Sequence, residues 1–247
     1  MRKDLVDLWN EKEYHQKYLI LDDSNAKTIS DICKPITDNS KVLDVGCGVS
    51  RTGMYLVKNR KNLKYFGQDI SSTALKMAKK RIKGAKLVHH SCSKLLFNSN
   101  YFDFVISTYA IEHFSEPKKV LDEMIRVCKP GGKLIIVSPA WDAPVISPPV
   151  LNRTIKKRLK SFYVQSKRQA GLILLKKTDF HTIDPPKHTI KEYSEDTDTV
   201  YHVSIREVME YLKKRGCKIE YVHQRRLPLV RYFFRYMHIV AKKPAER

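Results

Sequence analysis

The stretch Lys41-Val-Leu-Asp-Val-Gly-Cys-Gly48 decides the fold of this chain. A short apolar run that ends in glycines is typical of a buried parallel strand that leads through a tight turn into a helix. Gly46 and Gly48 let the backbone turn sharply and let a ligand lie directly against it, since neither residue has a Cβ. Asp44 interrupts the apolar run, and a buried carboxylate needs a partner, for which a cationic amine on a ligand would serve. The stretch therefore predicts an α/β domain that binds a ligand at the end of its first strand.

The spacing of the glycines separates this turn from two common phosphate-binding turns. Gly53 follows Gly48 after four residues, which is neither the Gly-x-Gly-x-x-Gly of dinucleotide-binding turns nor the Gly-Lys-Ser/Thr of a P-loop. A second predicted strand, residues 65–70, contains Asp69 near its end. Folds of this kind hold a nucleoside ribose with an acid at that position.

These features resemble the class I S-adenosylmethionine-dependent methyltransferase family. Residues 42–48 are similar to its first motif, and Asp69 is similar to its ribose-binding acid. Residues 102–107 resemble the fourth strand of the family, and residues 126–137 resemble the turn into the fifth. The resemblance implies an α/β fold with a Rossmann-like, doubly wound sheet of seven mostly parallel strands. It also implies an antiparallel last strand between the fifth and sixth, a helical lid insertion, and S-adenosylmethionine as the cofactor.

The resemblance implies a set of cofactor-binding residues at the carboxyl ends of the first four strands. They are Asp44, Gly46, Cys47, Gly48, Asp69, Ile70, Ser91, Cys92 and Thr108. Ser91 departs from the family pattern, in which an acid commonly reads the adenine amino group. A serine hydroxyl can still form a hydrogen bond to adenine but brings no charge. Cys92 is expected to pack beside adenine rather than to react.

A chain of 247 residues is long enough for one α/β domain with an insertion. We divide it into an N-terminal helical lid (1–40), a cofactor-binding core (41–138), a basic insertion over the acceptor site (139–201), and a final helix with a β-hairpin (202–247). Trp9, Tyr14 and Tyr18 are candidates to cover the cofactor from the lid. Anchoring of a helix on the core is the alternative role for each of these aromatic residues.

Candidate catalytic residues lie after the fourth strand and in the insertion. His113 follows the fourth strand, at the edge where active sites of open α/β sheets lie. Its ordinary pKa of about 6.5 suits a general base near neutrality. The alternative is that His113 only forms a hydrogen bond to a neighbouring loop. His181 is the second catalytic candidate. The predicted acceptor contacts are Tyr109, His188 and Tyr193. The histidines lack the spacing of a zinc motif, so no metal site is predicted.

The charge pattern bears on the partners of the protein. The formal net charge of +21 favours an anionic partner, unless the lysine-rich surface has no function. Residues 151–177 contain nine lysines and arginines and no acid, and they carry an apolar helical stripe that includes Ile155 and Leu159. This pattern predicts a helical lid whose apolar face packs on the sheet and whose basic face is solvated. The alternative is a helix that lies on an anionic membrane. Asp198 is assigned to an acidic solvent loop.

Three functions fit the sequence. The first is methyl transfer to a small-molecule or lipid- or glycan-linked acceptor, anionic in character, with O-methylation slightly favoured. The second is RNA methylation, because residues 225–235 interleave basic with aromatic side chains; against it, no RNA-binding module is recognisable. The third is an inactive cofactor-binding scaffold, which only Ser91 supports.

The cysteine pattern and the chain termini bear on location. Five scattered cysteines without a Cys-x-x-Cys pair favour a reducing cytoplasm. The first residues carry acids and lack an apolar segment, so no signal peptide is expected. The predicted location is cytoplasmic, with peripheral membrane contact left open.

Overall fold

The structure is a computed structural model that describes residues 2–16, 23–142, 155–185, 187, 197–223 and 236–245. The strands of its sheet are β1 (Lys41–Val45), β2 (Lys64–Asp69), β3 (Lys86–His89), β4 (Phe102–Thr108), β5 (Cys128–Ser138), β6 (Lys218–Val222) and β7 (Met237–Lys242). The α-helices are α1 (Lys3–Asn10), α2 (Lys12–Gln16), α3 (Asp23–Cys33), α4 (Arg51–Asn59), α5 (Ser72–Arg81), α6 (Pro117–Val127), α7 (Ile155–Leu175) and α8 (Ile205–Lys214). A short 3₁₀-helix spans Ile111–His113.

The seven strands form one sheet in the order β3-β2-β1-β4-β5-β7-β6. The pairs from β3 to β5 are parallel, whereas β7 runs antiparallel to both β5 and β6. The predicted fold is therefore confirmed, including the position and direction of the last strand. The chain order reverses beside β1, where β2 lies on one side and β4 on the other. In open α/β sheets such a reversal leaves a crevice at the carboxyl ends of the strands.

The sheet is buried on both faces, which is why its central strands are almost continuously apolar. Leu43 and Val45 of β1 belong to the core that contains α6 and α8. Val42 points to the opposite face of the sheet and belongs to the core formed with α3 and α4. The alternation of side chains along β1 thus attaches helices to both faces and fixes the direction in which its glycine turn leaves the sheet.

The insertion helix α7 packs with its polar side inward. Its apolar residues Ile155 and Leu159 are 77% and 66% exposed, whereas Ser161, Gln165 and Gln169 are buried. The prediction that the apolar stripe packs on the sheet is therefore wrong. The inward side carries Arg168, which pairs with Glu207, and the buried Leu172. No helix in the described part of the chain combines the length and apolar character needed to cross a membrane.

Arg168 and Glu207 form a buried ion pair that joins α7 to α8. Arg168 also donates to the carbonyl oxygen of His202 at 2.6 Å. The Glu207 carboxylate accepts further hydrogen bonds from the Phe180 N–H and the Tyr201 hydroxyl, each at 2.7 Å. These four contacts attach the insertion to α8 and its neighbours, in addition to the apolar contacts of Phe180 and Tyr201 in the core.

The spacing of Ser204 and Glu207 at the start of α8 is that of a capping box. The Ser204 hydroxyl oxygen does accept from the Glu207 N–H, at 3.3 Å. The Glu207 side chain is engaged with Arg168 instead of capping the helix. Asp142 takes that place, accepting from the N–H groups of Ile205 and Arg206 at 2.7 and 3.3 Å.

Replacing Arg168 by alanine should lower the free energy of unfolding by about 3–5 kcal/mol, because Glu207 would remain buried without its cation. Urea unfolding at neutral pH measures the change. Lys167→Ala is the matched control: Lys167 is the exposed neighbour on the same helix, and its loss should change stability by about 0.5 kcal/mol at most. Equal effects of the two substitutions would contradict the role given to the ion pair.

Candidate active site

A cavity of about 490 Å³ lies at the carboxyl ends of the central strands, within the size range of small-molecule sites. Eight of the nine predicted cofactor residues line it: Gly46, Cys47, Gly48, Asp69, Ile70, Ser91, Cys92 and Thr108. Residues from α1 and α2 close one side. The crevice expected from the strand order is thus a defined pocket, and the structure brings the predicted residues together there.

The two glycines of the turn after β1 serve different purposes. Gly46 has φ +72°, and a Cβ there would lie 2.6 Å from the Ala110 Cβ. Gly48 has φ +50°, and a Cβ there would meet nothing within 4 Å. Gly46 is therefore required by the packing of the protein against itself. Gly48 leaves open space on the cavity wall, where a ligand can approach the backbone.

Asp69 is positioned by backbone hydrogen bonds at the end of β2. Its Oδ2 accepts from the Gly48 N–H and its Oδ1 from the Ser71 N–H, both at 2.8 Å. Burial raises the pKa of this carboxyl, and the two N–H donors oppose the rise. Each carboxylate oxygen retains a lone pair, so Asp69 can accept hydrogen bonds from two adjacent hydroxyl groups. A ribose diol has this arrangement.

Asp44 is buried and does not line the cavity directly. The Tyr65 hydroxyl donates to its Oδ2 at 2.9 Å, whereas its Oδ1 has no hydrogen-bond partner among the described residues. Burial raises the pKa of Asp44 to about 7, despite the hydrogen bond from Tyr65. A buried carboxylate oxygen without a donor is suited to an ammonium group, which agrees with the partner expected from the sequence.

Tyr65 is a site residue that the sequence analysis missed. Its ring occupies the space beside Gly53, where a Cβ would lie 2.3 Å from the ring. The third glycine of the motif therefore makes room for Tyr65 rather than for a ligand. Tyr65 donates a hydrogen bond to Asp44, so Gly53 affects the site indirectly, by making room for the Tyr65 ring. The position of Gly53 in the motif was the available sequence signal for this contact. It does not show which side chain fills the space beside the glycine.

The N-terminal helices are attached over the cavity by one buried carboxylate, that of Asp198. The Trp9 indole N–H and the Tyr14 hydroxyl donate to its Oδ2 at 2.7 and 3.0 Å. His15 adds a second attachment, since its Nε2 lies 2.6 Å from the Trp9 carbonyl oxygen and 3.1 Å from Ser71 Oγ. Trp9 and Tyr14 thus line the cavity, while Tyr18 lies outside the described residues.

The placement of Asp198 in a solvent loop was wrong, because the residue is fully buried. Besides holding the lid, its Oδ2 lies 3.6 Å from His113 Nδ1. The other ring nitrogen of His113 lies 3.9 Å from the Glu112 carboxylate, which is itself buried and accepts from Ser138 Oγ at 2.9 Å. His113 lines the cavity between two buried carboxylates. Local sequence carries no signal for this, since Asp198 lies 85 positions away.

The remaining predicted residues have different positions. Tyr109 lines the cavity and has φ +53°, a conformation that is uncommon for a bulky residue and occurs preferentially at functional sites. His181 does not line the cavity; its ring lies 6.2 Å from that of His202. Burial, together with the charge of Arg168, lowers the pKa of His181. His188, Tyr193 and residues 225–235 lie outside the described residues.

The fold and the site together define a doubly wound α/β domain with a cavity suited to a nucleoside-containing cofactor. Residues 43–136 match the sequence model of a methyltransferase domain. The ubiquinone/menaquinone biosynthesis C-methyltransferase UbiE of Wigglesworthia glossinidia brevipalpis is 30% identical over 148 residues, covering 54% of this chain and 58% of that protein. The demethylmenaquinone methyltransferase of Thermotoga maritima is 30% identical over 126 residues, covering 51% and 52%. The chain spans about half the length of these curated relatives.

Solved structures agree with the architecture. An S-adenosylmethionine-dependent methyltransferase from Mesorhizobium loti superposes with a TM-score of 0.58 at 15% identity, over 88% of this chain and 96% of that one. This likeness concerns the fold. Residues 43–136 are thus similar to a methyltransferase domain, and the fold around them is that of solved S-adenosylmethionine-dependent methyltransferases.

Replacing Asp44 by asparagine should stabilise the free protein in a pH-dependent way. The folded-state pKa of about 7 exceeds the ordinary 3.8, so the folded chain holds a proton that the unfolded chain releases, and stability falls as pH rises through this window. The Asp44→Asn variant does not lose stability in this way, so its free energy of unfolding should exceed that of the parent most above pH 7. Its affinity for S-adenosylmethionine should fall about 10–100-fold, because the attraction of the buried carboxylate for the ammonium group is lost.

Urea unfolding at pH 5 and pH 8 and titration calorimetry test this prediction. Asp103→Asn is a control that should change the stability in the opposite direction. The hydrogen bond from Lys129 lowers the pKa of Asp103 in spite of its partial burial, so this substitution should destabilise the protein at pH 8. An Asp44→Asn protein that is less stable than the parent at pH 8 would contradict the assignment.

Replacing Asp198 by alanine should release α1 and α2 from the cavity. Trp9 and Tyr14 would both lose their acceptor, each at about 1–3 kcal/mol for a buried polar group left unpaired. Hydrogen–deuterium exchange should then accelerate over residues 3–16, while β1 and β4 remain protected. Asp31→Ala, which removes a half-exposed carboxylate, should leave that exchange unchanged. Unaltered protection of α1 in Asp198→Ala would argue against the attachment.

Proposed function

We propose that this chain is an enzyme that transfers the methyl group of S-adenosylmethionine to a hydroxyl-bearing acceptor, either lipid-linked or small. The observation that carries the proposal is the composition of one cavity. Gly48 and Asp69, which suit the cofactor, line the same space as His113, which lies between two buried carboxylates. A cofactor site and a candidate base thus face each other across one pocket.

The residues present fit the cofactor. Asp69 would accept hydrogen bonds from the ribose hydroxyls, and Asp44, buried close to the cavity, would attract the ammonium group by its charge. Ser91 and Cys92 would lie at the adenine. Burial raises the pKa of the Cys92 thiol, which keeps it protonated and unreactive. When bound, S-adenosylmethionine supplies an electrophilic methyl group on a sulfonium centre.

The residues of the chain contribute alignment, exclusion of water and proton removal. The lid closes the cavity through Trp9 and Tyr14, so that water is kept from the reacting groups. His113 accepts the proton of an acceptor hydroxyl at a ring nitrogen, which makes the acceptor a stronger nucleophile. The Asp198 carbonyl oxygen, 3.4 Å from Nδ1, orients the ring, and the Asp198 carboxylate, 3.6 Å away, stabilises the positive charge that the imidazole acquires. In-line transfer otherwise depends mainly on alignment.

The relatives narrow the class of acceptor that we propose. Their names refer to ubiquinone, menaquinone and demethylmenaquinone. Removal of a proton from a phenolic hydroxyl gives an anion that is nucleophilic at oxygen and at ring carbons. The same base therefore serves O-methylation, which the sequence slightly favoured, and C-methylation, which the name of one relative specifies. We propose a phenol- or hydroquinone-like ring as the acceptor, which agrees with the expected anionic character.

Incubation with isotope-labelled S-adenosylmethionine and fractionated host lysate tests this function. Label in the lipid or small-molecule fraction, with mass spectrometry to locate the methyl group on oxygen or carbon, would support it. Label in RNA would favour the second function considered from the sequence. Binding of the cofactor without label in any fraction would indicate an inactive scaffold.

Replacing His113 by alanine should lower kcat about 10²–10⁴-fold, the usual contribution of a general base, while the Kd for S-adenosylmethionine changes little. His223→Ala is the control, because His223 lies at the end of β6 and does not line the cavity. Its kcat should remain within about twofold of the parent. A His113→Ala enzyme with full kcat at every pH would rule out this base.

A further inference from the structure

The exposed side of α7 carries an apolar surface that the rest of the described chain leaves uncovered. We call it the α7 stripe; its members are Ile155, Leu159, Phe162, Tyr163, Ile173 and Leu174. At 3.6 residues per turn these positions fall within about one third of the helix circumference. Every member is exposed, up to 78% for Leu174. Single exposed apolar residues are ordinary, but six on one side of one helix, in the two groups 155–163 and 173–174, mark an interaction site.

The orientation of α7 is fixed by polar contacts on its opposite side. Arg168 is paired with Glu207 and bonded to the His202 carbonyl oxygen, and Gln165 donates to the carbonyl oxygen of Trp141. Turning the helix to bury the stripe would expose Arg168 and leave the Glu207 carboxylate buried without a cation. Since that state is strongly disfavoured, the apolar side stays outward.

Lysines accompany the stripe. Lys156, Lys160 and Lys167 are exposed and follow one edge of it, and Lys176 and Lys177 follow the end of the helix. No acidic residue occurs between positions 155 and 178. Lysines at this edge can extend their ammonium groups to a charged surface while their methylene groups cover apolar area.

We propose that the α7 stripe docks on the surface of an anionic lipid bilayer. An apolar row flanked by lysines is the arrangement of helices that lie in the plane of the membrane interface. The net charge of +21 adds long-range attraction to such a surface. A second copy of the chain is a poorer partner, because apposed stripes would bring their lysine rows together. The proposal does not depend on the methyl acceptor and holds whether or not the chain transfers methyl groups.

Co-sedimentation of the full chain with vesicles tests the docking. The chain should bind vesicles that contain phosphatidylglycerol, bind pure phosphatidylcholine weakly, and lose affinity as salt rises. Leu159→Ser and Ile173→Ser should each weaken the partition coefficient about tenfold. Lys160→Gln and Lys167→Gln should each weaken it about fivefold. Val57→Ser, which removes an exposed apolar residue of α4, should have no effect.

A fluorescent reporter shows whether the stripe itself enters the interface. The two native tryptophans, Trp9 and Trp141, are buried, so a tryptophan placed on the stripe provides the change in signal. Phe162→Trp should shift its emission to shorter wavelength on anionic vesicles, whereas Val57→Trp should not. Circular dichroism and Tm confirm that each variant is folded.

Two results would overturn the proposal. One is absence of binding to anionic vesicles, or binding in which the Phe162→Trp emission does not respond. The other is a lipid-free dimer, seen by sedimentation velocity, that Leu159→Ser dissociates. That second result would assign the stripe to contact between copies of the chain.

Discussion

The reversal of strand order beside β1 is the constraint on which the rest of the molecule depends. Because β2 and β4 leave β1 in opposite directions along the sheet, the loops after these strands separate and leave a crevice. The glycine turn, Asp69 and the residues after β4 border that crevice through the topology alone. The N-terminal helices and the insertion are then additions whose attachment determines how far the crevice is closed.

Both additions are attached through buried carboxylates. Asp198 receives Trp9 and Tyr14 from the lid, and Glu207 receives Arg168 from the insertion. Placing acids in the interior has a second effect in a chain that has 26 acidic and 47 basic side chains. Every carboxylate that is buried is removed from the surface, so the outer face becomes more uniformly basic than the composition alone indicates. The attachment of these elements by buried carboxylates and the positive charge of the surface are therefore linked.

The parts predictable from the sequence are those that local patterns determine. The glycine turn, the order of strands and eight residues of the cavity lining follow from short motifs whose backbone geometry permits few alternatives. The functions of Tyr65, Asp198 and Glu207 depend on contacts with residues distant in the chain, which no local pattern contains. For α7 the periodicity located the apolar stripe but not the side that is buried. The buried side of α7 carries the ion pair of Arg168 with Glu207, and the apolar stripe stays exposed. Exposed apolar residues are common on protein surfaces, so the stripe alone does not predict which side is buried.

The shared use of Asp198 has a consequence for the order of events at the site. The same carboxylate oxygen holds two lid residues and faces the ring of His113. Movement of the lid away from the cavity therefore removes two donors from that oxygen and changes the electrostatic environment of the imidazole at the same moment. Under the proposed role of His113, the conformation that admits a molecule would therefore differ from the conformation that acts on it.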